Sequence, residues 1–124
     1  MDQALSVTKA LADGNRLRVV MALTDHDELC VCQITAMLDL AMATVSRHIS
    51  VLQKAGLVKN RKDSRWVYYR LSDAFPPLLL QWLKDALMHS DSIAGDNEKL
   101  KTIFAHELDA LCKAQKQRRK RDAG

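Results

Sequence analysis

Cys30 and Cys32 stand two residues apart in Glu28-Leu29-Cys30-Val31-Cys32, and this thiol pair is the chain's most pointed chemistry. Thiolates are soft ligands that favour soft, thiophilic ions over hard ones. On a regular helix of 3.6 residues per turn, positions i and i+2 project about 200° apart. Joint ligation therefore needs Cys30 at the N-terminal end of a helix, or a local distortion. Two small buried hydrophobes would satisfy the same residues. Cys112, the third cysteine, follows Leu108 and Leu111 on an apolar stripe and reads as a core cysteine.

A second constellation lies just downstream. Thr44, Ser46, Arg47 and His48 gather short polar and cationic side chains in the first half of one helical stretch. Side chains of this kind read base edges in the DNA major groove. Arg61, Lys62 and Arg65 follow at the tip of a hairpin pattern, where they would straddle phosphates. Such contacts position a protein on DNA without specifying sequence.

The charge distribution agrees with that reading. Residues 47–70 hold seven Lys/Arg against one acid, and residues 113–124 hold six against one. Residues 1–46 hold three against six, and 71–112 hold three against seven, so the net +4 conceals two basic blocks in an acidic body. Local basic blocks are electrostatic footprints for a polyanion.

The elements that must position these groups follow from periodicity and caps. Leu5, Thr8, Leu11 and Ala12 recur at helical spacing, and Asp13 caps a second helix with Leu17, Val20 and Met21 on its stripe. After the turn Asp25-His26-Asp27, a third helix is expected over 30–38 and a fourth over 42–55. Val45, Ile49 and Leu52 share one face of the fourth, and Gly56 stands at its C′ position. Residues 57–61 and 65–71 read as strands joined by Lys62-Asp63-Ser64. Pro76 and Pro77 open a fifth helix, 76–92. Gly95-Asp96-Asn97 punctuates the chain before a sixth, on which Leu100, Ile103, Phe104, Leu108 and Leu111 recur at helical spacing.

The expected fold is thus mainly α with one β-hairpin (α+β), a winged helix-turn-helix. The apolar stripes of helices 3–12 and 96–112 exceed what a small core absorbs. They predict a C2 homodimer that sets two recognition helices on successive major grooves. Residues 1–112 form the expected DNA-binding and dimerisation domain, and 113–124 a basic, disordered tail. At 124 residues, the chain is one domain. It lacks an apolar run long enough for a membrane span, and its first residues carry no secretion signal. Three cysteines without such a signal predict free thiols in a reducing cytoplasm rather than a disulfide scaffold.

In combination, Glu28-Leu-Cys-Val-Cys32, Ser46-Arg-His-Ile-Ser-Val-Leu52, Gly56-Leu57 and Trp66-Val-Tyr-Tyr-Arg-Leu71 resemble the ArsR/SmtB metalloregulators, as does Leu11-Ala-Asp-Gly-Asn-Arg-Leu17. The resemblance covers about residues 5–72. It implies a dimeric winged-helix repressor that leaves operator DNA when metal binds. The Cys-Val-Cys stretch is most similar to the arsenite- and antimonite-responsive branch, where these cysteines ligate As(III) or Sb(III). This chain departs from that branch at Thr35, where many members have a further cysteine. A three-thiolate site would then recruit Cys112 or an external thiol. No cysteine precedes Cys30, unlike the cadmium/lead branch, and His106 alone does not make the zinc branch's site. Ala41 stands where a serine often caps the recognition helix. Cadmium or lead sensing and thiol oxidation are the alternatives on the same fold. A thiol-dependent enzyme would want Cys-x-x-Cys beside a βαβ unit, and neither pattern is present.

Overall fold

The computed structural model describes residues 1–106, 108 and 110–113. Helices α1 (Asp2–Leu11) and α2 (Gly14–Asp25) meet at a corner made by Asp13. Its carboxylate accepts the backbone N–H groups of Asn15 (2.9 Å) and Arg16 (3.1 Å), so two donors at the start of α2 are satisfied. Strand β1 (Leu29–Cys30) leads directly into α3 (Val31–Leu38). Asp39 ends α3 in the left-handed region (φ 54°), a conformation that Asp tolerates better than most residues. Its N–H returns to the Thr35 carbonyl, and Leu40-Ala41 turns the chain into α4 (Met42–Lys54).

Helix α4 buries Val45, Ile49 and Leu52 against the core. It closes in a Schellman pattern: Gly56 N–H donates to the Gln53 carbonyl and Leu57 N–H to that of Leu52. Gly56 has φ +77°, which requires its lack of a Cβ. The N-terminus of α4 has no side-chain cap, since Ala41 offers none. Strands β2 (Val58–Asp63) and β3 (Trp66–Leu71) form the wing, with Val58 opposite Leu71 and Asp63 opposite Trp66. The turn is therefore Ser64-Arg65, with Lys62 and Asp63 inside β2, one step later than the polar run suggested.

The expected two-stranded hairpin is in fact the larger part of a three-stranded antiparallel sheet, ordered β1-β3-β2. Leu29 pairs with Tyr69 and Cys30 with Tyr68. The C-terminal helices also differ from expectation. Helix α5 (Pro77–Ala86) stops early, and Ser90 caps α6 (Asp91–Phe104), its hydroxyl accepting the N–H of Ile93. Gly95-Asp96-Asn97 consequently lies inside α6. Asp96 is buried because Arg18 of α2 holds it in two hydrogen bonds of 2.7 and 2.9 Å. Residues 105–106 form a turn, beyond which Leu108 and residues 110–113 are helical.

One core joins these elements, centred on Val19, Val20, Ile34, Met37, Leu57 and Leu100. Among the described residues, the large apolar side chains left exposed are Met1, Leu5 on α1, Val51 on α4, Leu78 at 87% and Trp82 at 63% on α5, Met88 just after it, and Phe104 at the end of α6. The expected surplus on the terminal helices is thus limited to Leu5 on α1 and Phe104 on α6, and the more exposed Leu78 and Trp82 lie on α5. Among the described residues, no helix is long and apolar enough to cross a membrane. The tail from residue 114 onward lies outside the described residues.

Candidate thiol centre and DNA-reading face

The thiol centre starts from the junction of β1 and α3. Cys30 is extended (φ −72°, ψ 150°) and occupies the N-cap position of α3, so it is released from helical geometry. Its backbone N–H donates to Gln33 Oε1 at 2.8 Å, fixing the junction. Cys32, one residue inside the helix, is thereby turned to the same side as Cys30. The helical residues after α6 bring in Cys112 of the same chain. All three sulfurs lie within 4.8 Å of one another, and all three residues are buried.

The structure corrects the expectation of three free thiols. Cys32 and Cys112 are joined as a disulfide and Cys30 is free. Their Cα atoms are 5.4 Å apart, within the span that a bridge needs. With the bridge reduced, the three sulfurs are close enough together that they could hold one metal ion. Metal–thiolate bonds of about 2.3 Å bring ligands sharing an ion to within roughly 4.6 Å of each other. Thr35, the position where a further cysteine was missing, is fully buried and donates its hydroxyl to the Val31 carbonyl at 2.7 Å. It does not line the cavity beside the thiols.

That cavity, about 240 Å³, has Met42, Trp66 and Val67 as walls next to the cysteines, with Arg65 and Lys113 contributing charge. Arg65 lies over the Trp66 ring, 4.8 Å from its centroid. The cavity was not legible in the sequence, because Trp66 and Met42 read as an ordinary strand residue and an ordinary first turn. Burial pushes the Tyr69 hydroxyl's pKa up, with the nearby Cys30 charge adding to the effect.

The wing is tied to this centre. Arg61 of β2 forms a fork on Glu28, two residues before Cys30, donating from Nε at 2.8 Å and again from Nη2. Its guanidinium also lies 4.5 Å from the Tyr68 ring centroid. The hydrogen bonds from Arg61 hold the Glu28 carboxyl below its ordinary pKa. Arg61 was expected to meet phosphate; within the chain it faces Glu28. Lys62 and Arg65 are both exposed at the wing tip.

On α4, Ser46 and Arg47 are exposed, and Thr44 is half-buried on the neighbouring edge. Arg47 Nη2 donates to Thr44 Oγ1 at 3.4 Å. His48 turns instead toward the α1–α2 corner. Its Nδ1 lies 3.3 Å from Arg16 Nη1 and 3.9 Å from Asp13 Oδ1, so it accepts from Arg16 when neutral and pairs with Asp13 when protonated. Arg16 in turn donates to the Ala10 carbonyl at 2.7 Å, closing the end of α1. Burial works to raise the Asp13 pKa, but the Arg16 N–H and the charges of His48 and Arg16 outweigh it, and the net shift is downward. His48 braces α4 more than it faces outward.

The family model for bacterial regulatory proteins of the arsR family matches residues 13–60, which run from the α2 cap through the first half of β2. The chain is 31% identical over 108 residues to the arsenic resistance transcriptional regulator ArsR2 of Pseudomonas putida, covering 86% of this chain and 94% of that protein. It is 40% identical over 82 residues to ArsR1 of the same organism, covering 66% of this chain but only 60% of that relative. A cadmium resistance regulatory protein CadC homologue of Staphylococcus aureus is 35% identical over 95 residues, covering 77% and 75%. Among solved structures, HlyU of Vibrio cholerae superimposes with a TM-score of 0.64 at 30% identity, covering 71% of this chain and 95% of that one. The homodimeric winged helix-turn-helix DNA-binding domain Mb0332 of Mycobacterium bovis gives 0.63 at 28% identity, covering 73% and 82%.

Proposed function

The chain belongs to the bacterial regulatory proteins of the arsR family, and from that premise we propose that it is a homodimeric, cytoplasmic transcriptional repressor whose inducer is trivalent arsenic or antimony. In this reading Thr44, Ser46 and Arg47 face base edges and Lys62 and Arg65 face phosphates. His48 and Arg61 hold the reading surface in position. A second copy covers the exposed apolar side chains of α1 and α5, the surplus that a monomer leaves in water. Mb0332, described as homodimeric, supports that assembly.

The observation that carries the inducer is the set of three buried sulfurs within 4.8 Å at the first turn of α3. Arsenite, As(OH)3, condenses with up to three thiols and releases one water for each bond formed. Cys30 and Cys32 are the primary ligands and Cys112 the third. Binding acts on two neighbours at once: α3, the first helix of the helix-turn-helix, and β3, the wing strand paired with Cys30. A change at β1 therefore alters both the helix behind α4 and the wing. Allosteric couplings of this kind are commonly about 1–3 kcal/mol, so induction is a 5–150-fold weakening of DNA affinity.

Thiol oxidation is a second reading, favoured by the Cys32–Cys112 disulfide. It removes two of the three ligands and leaves Cys30 alone. The CadC homologue supports cadmium as a further arm of the test. Fluorescence anisotropy of the reduced protein on DNA from upstream of its own gene separates the readings. Release by arsenite and not by cadmium or mild oxidant supports this proposal. Release by cadmium or oxidant alone replaces the inducer, and absence of DNA binding overturns the repressor.

A further inference from the structure

Glu28 lies outside the wing, in the turn between α2 and β1, yet it delivers its carboxylate to a wing cation. Arg61 of β2 donates to it from Nε at 2.8 Å and again from Nη2, and Arg61 Nη1 lies 3.6 Å from Asp63 Oδ2. The register sets Lys59 opposite Arg70 and Arg61 opposite Tyr68, so Lys59, Arg61 and Arg70 share one face of the wing. All three are exposed, and together they carry the charge that attracts a phosphate backbone. Glu28 cancels part of it. The side chains of Arg61 and Glu28 remain 48% and 32% in water, and ion pairs this exposed are weakly held. A phosphate fits the guanidinium fork as well as a carboxylate does. The Tyr68 ring, its centroid 4.5 Å from the guanidinium, gives the cation a surface on which to pivot between the two.

We propose that Glu28 is an internal competitor for DNA: its carboxylate occupies Arg61 in the free protein, and a backbone phosphate takes Arg61 over in the complex. This role goes beyond the proposed function, in which Arg61 braces the wing, and it rests on the DNA-binding reading but not on the inducer. Charge balances through ions of the solvent. The Arg61–Glu28 pair breaks and an Arg61–phosphate pair forms. The phosphate releases its condensed cation, and the freed carboxylate regains one from solution. The exchange is thereby nearly salt-neutral, whereas a phosphate contact made without a competitor adds about one to the log–log salt slope. Glu28 lowers DNA affinity without touching DNA. It does so for all sequences alike, because a phosphate carries no sequence information.

A double-mutant cycle of Glu28→Gln and Arg61→Gln tests this, with Glu28→Ala taking the place of Glu28→Gln should the new amide still hold Arg61. Anisotropy of the reduced full-length protein is measured on DNA from upstream of its own gene and on an unrelated duplex of equal length, at several salt concentrations. Glu28→Gln should tighten both duplexes about three- to tenfold near physiological salt and steepen the salt slope by about one per subunit. In the Arg61→Gln background the same change should move affinity by less than about twofold, because no cation is left to release. Tightening that persists undiminished in that background makes Glu28 a general repulsive charge and overturns the inference. A gain confined to the upstream DNA assigns Arg61 to a base and overturns it too. Unchanged or weakened binding by both Glu28→Gln and Glu28→Ala does the same and leaves Glu28 a brace of the wing. A wild-type protein that binds neither duplex removes the repressor reading itself.

Discussion

The DNA-reading face and the thiol centre sit on adjoining helices of one helix-turn-helix but are built on opposite principles. Ser46, Arg47, Lys62 and Arg65 are exposed and hydrated. Their work is done on a partner that brings its own charge. The three cysteines are buried, Cys30 completely, in apolar surroundings. Single residues of the first region can be exchanged with little effect on folding. In the second, the ligands are also core, so a change in ligation is a change in packing. On the proposed reading, that difference suits a small thiophilic ion to be the signal, because it would act where the protein is close-packed.

Substitutions sharpen the contrast, beginning with the largest effect. Asp96→Ala leaves the Arg18 guanidinium without its carboxylate where α6 meets α2. Breaking a buried pair on one side costs about 3–5 kcal/mol. Urea denaturation should show a loss of that size, and a loss under 1 kcal/mol would mean that the pair is not what holds α6. On the reading face, Arg47→Ala should cost operator affinity about 1–3 kcal/mol and relax sequence preference, with folding unchanged. Lys62→Ala should weaken all DNA sequences alike and reduce the log–log salt slope by about one, measurable by titration at several salt concentrations.

Acid supplies the smallest and most general change. Glu28, through its hydrogen bonds from Arg61, and Asp13, whose N–H donors and nearby cations outweigh burial, both titrate lower in the folded chain than in the unfolded one. Their stabilising contribution is therefore complete above the ordinary carboxylate range near about pH 4 and falls away as pH drops through the lowered folded values. Thermal melts should be flat from neutrality down to about pH 5 and decline below it. Glu28→Gln should make that decline shallower, because one of the two titrating groups is gone.

How much of this was legible in the sequence depended on whether a feature is local. The Asp13 cap, the apolar face of α4, its Gly56 ending and the wing all arise within a few residues, and each was readable. So was the Cys-x-Cys pair and the need for Cys30 to stand at a helix start. Strand β1 escaped because two residues make no periodicity, and only the pairing with Tyr68 and Tyr69 makes them a strand. Gly95-Asp96-Asn97 looked like a break because Asp and Gly favour turns, whereas Arg18, 78 positions away, makes Asp96 a buried helix residue. Arg61 and His48 were read as outward cations for the same reason: Glu28 and Arg16 are distant in sequence. The meeting of Cys112 with Cys30 and Cys32 depends on the path of the chain after α6, which no stripe of leucines specifies.

In the proposed function, ligation at Cys30 and Cys32 controls DNA affinity. Its most direct measurement is the anisotropy of reduced wild-type and Cys30→Ser/Cys32→Ser protein on the same operator, titrated with arsenite. The two proteins should bind DNA equally without arsenite, and with it the wild type should weaken about 5–150-fold while the double variant does not change. Release of the double variant by arsenite, at the concentration that releases the wild type, would contradict it.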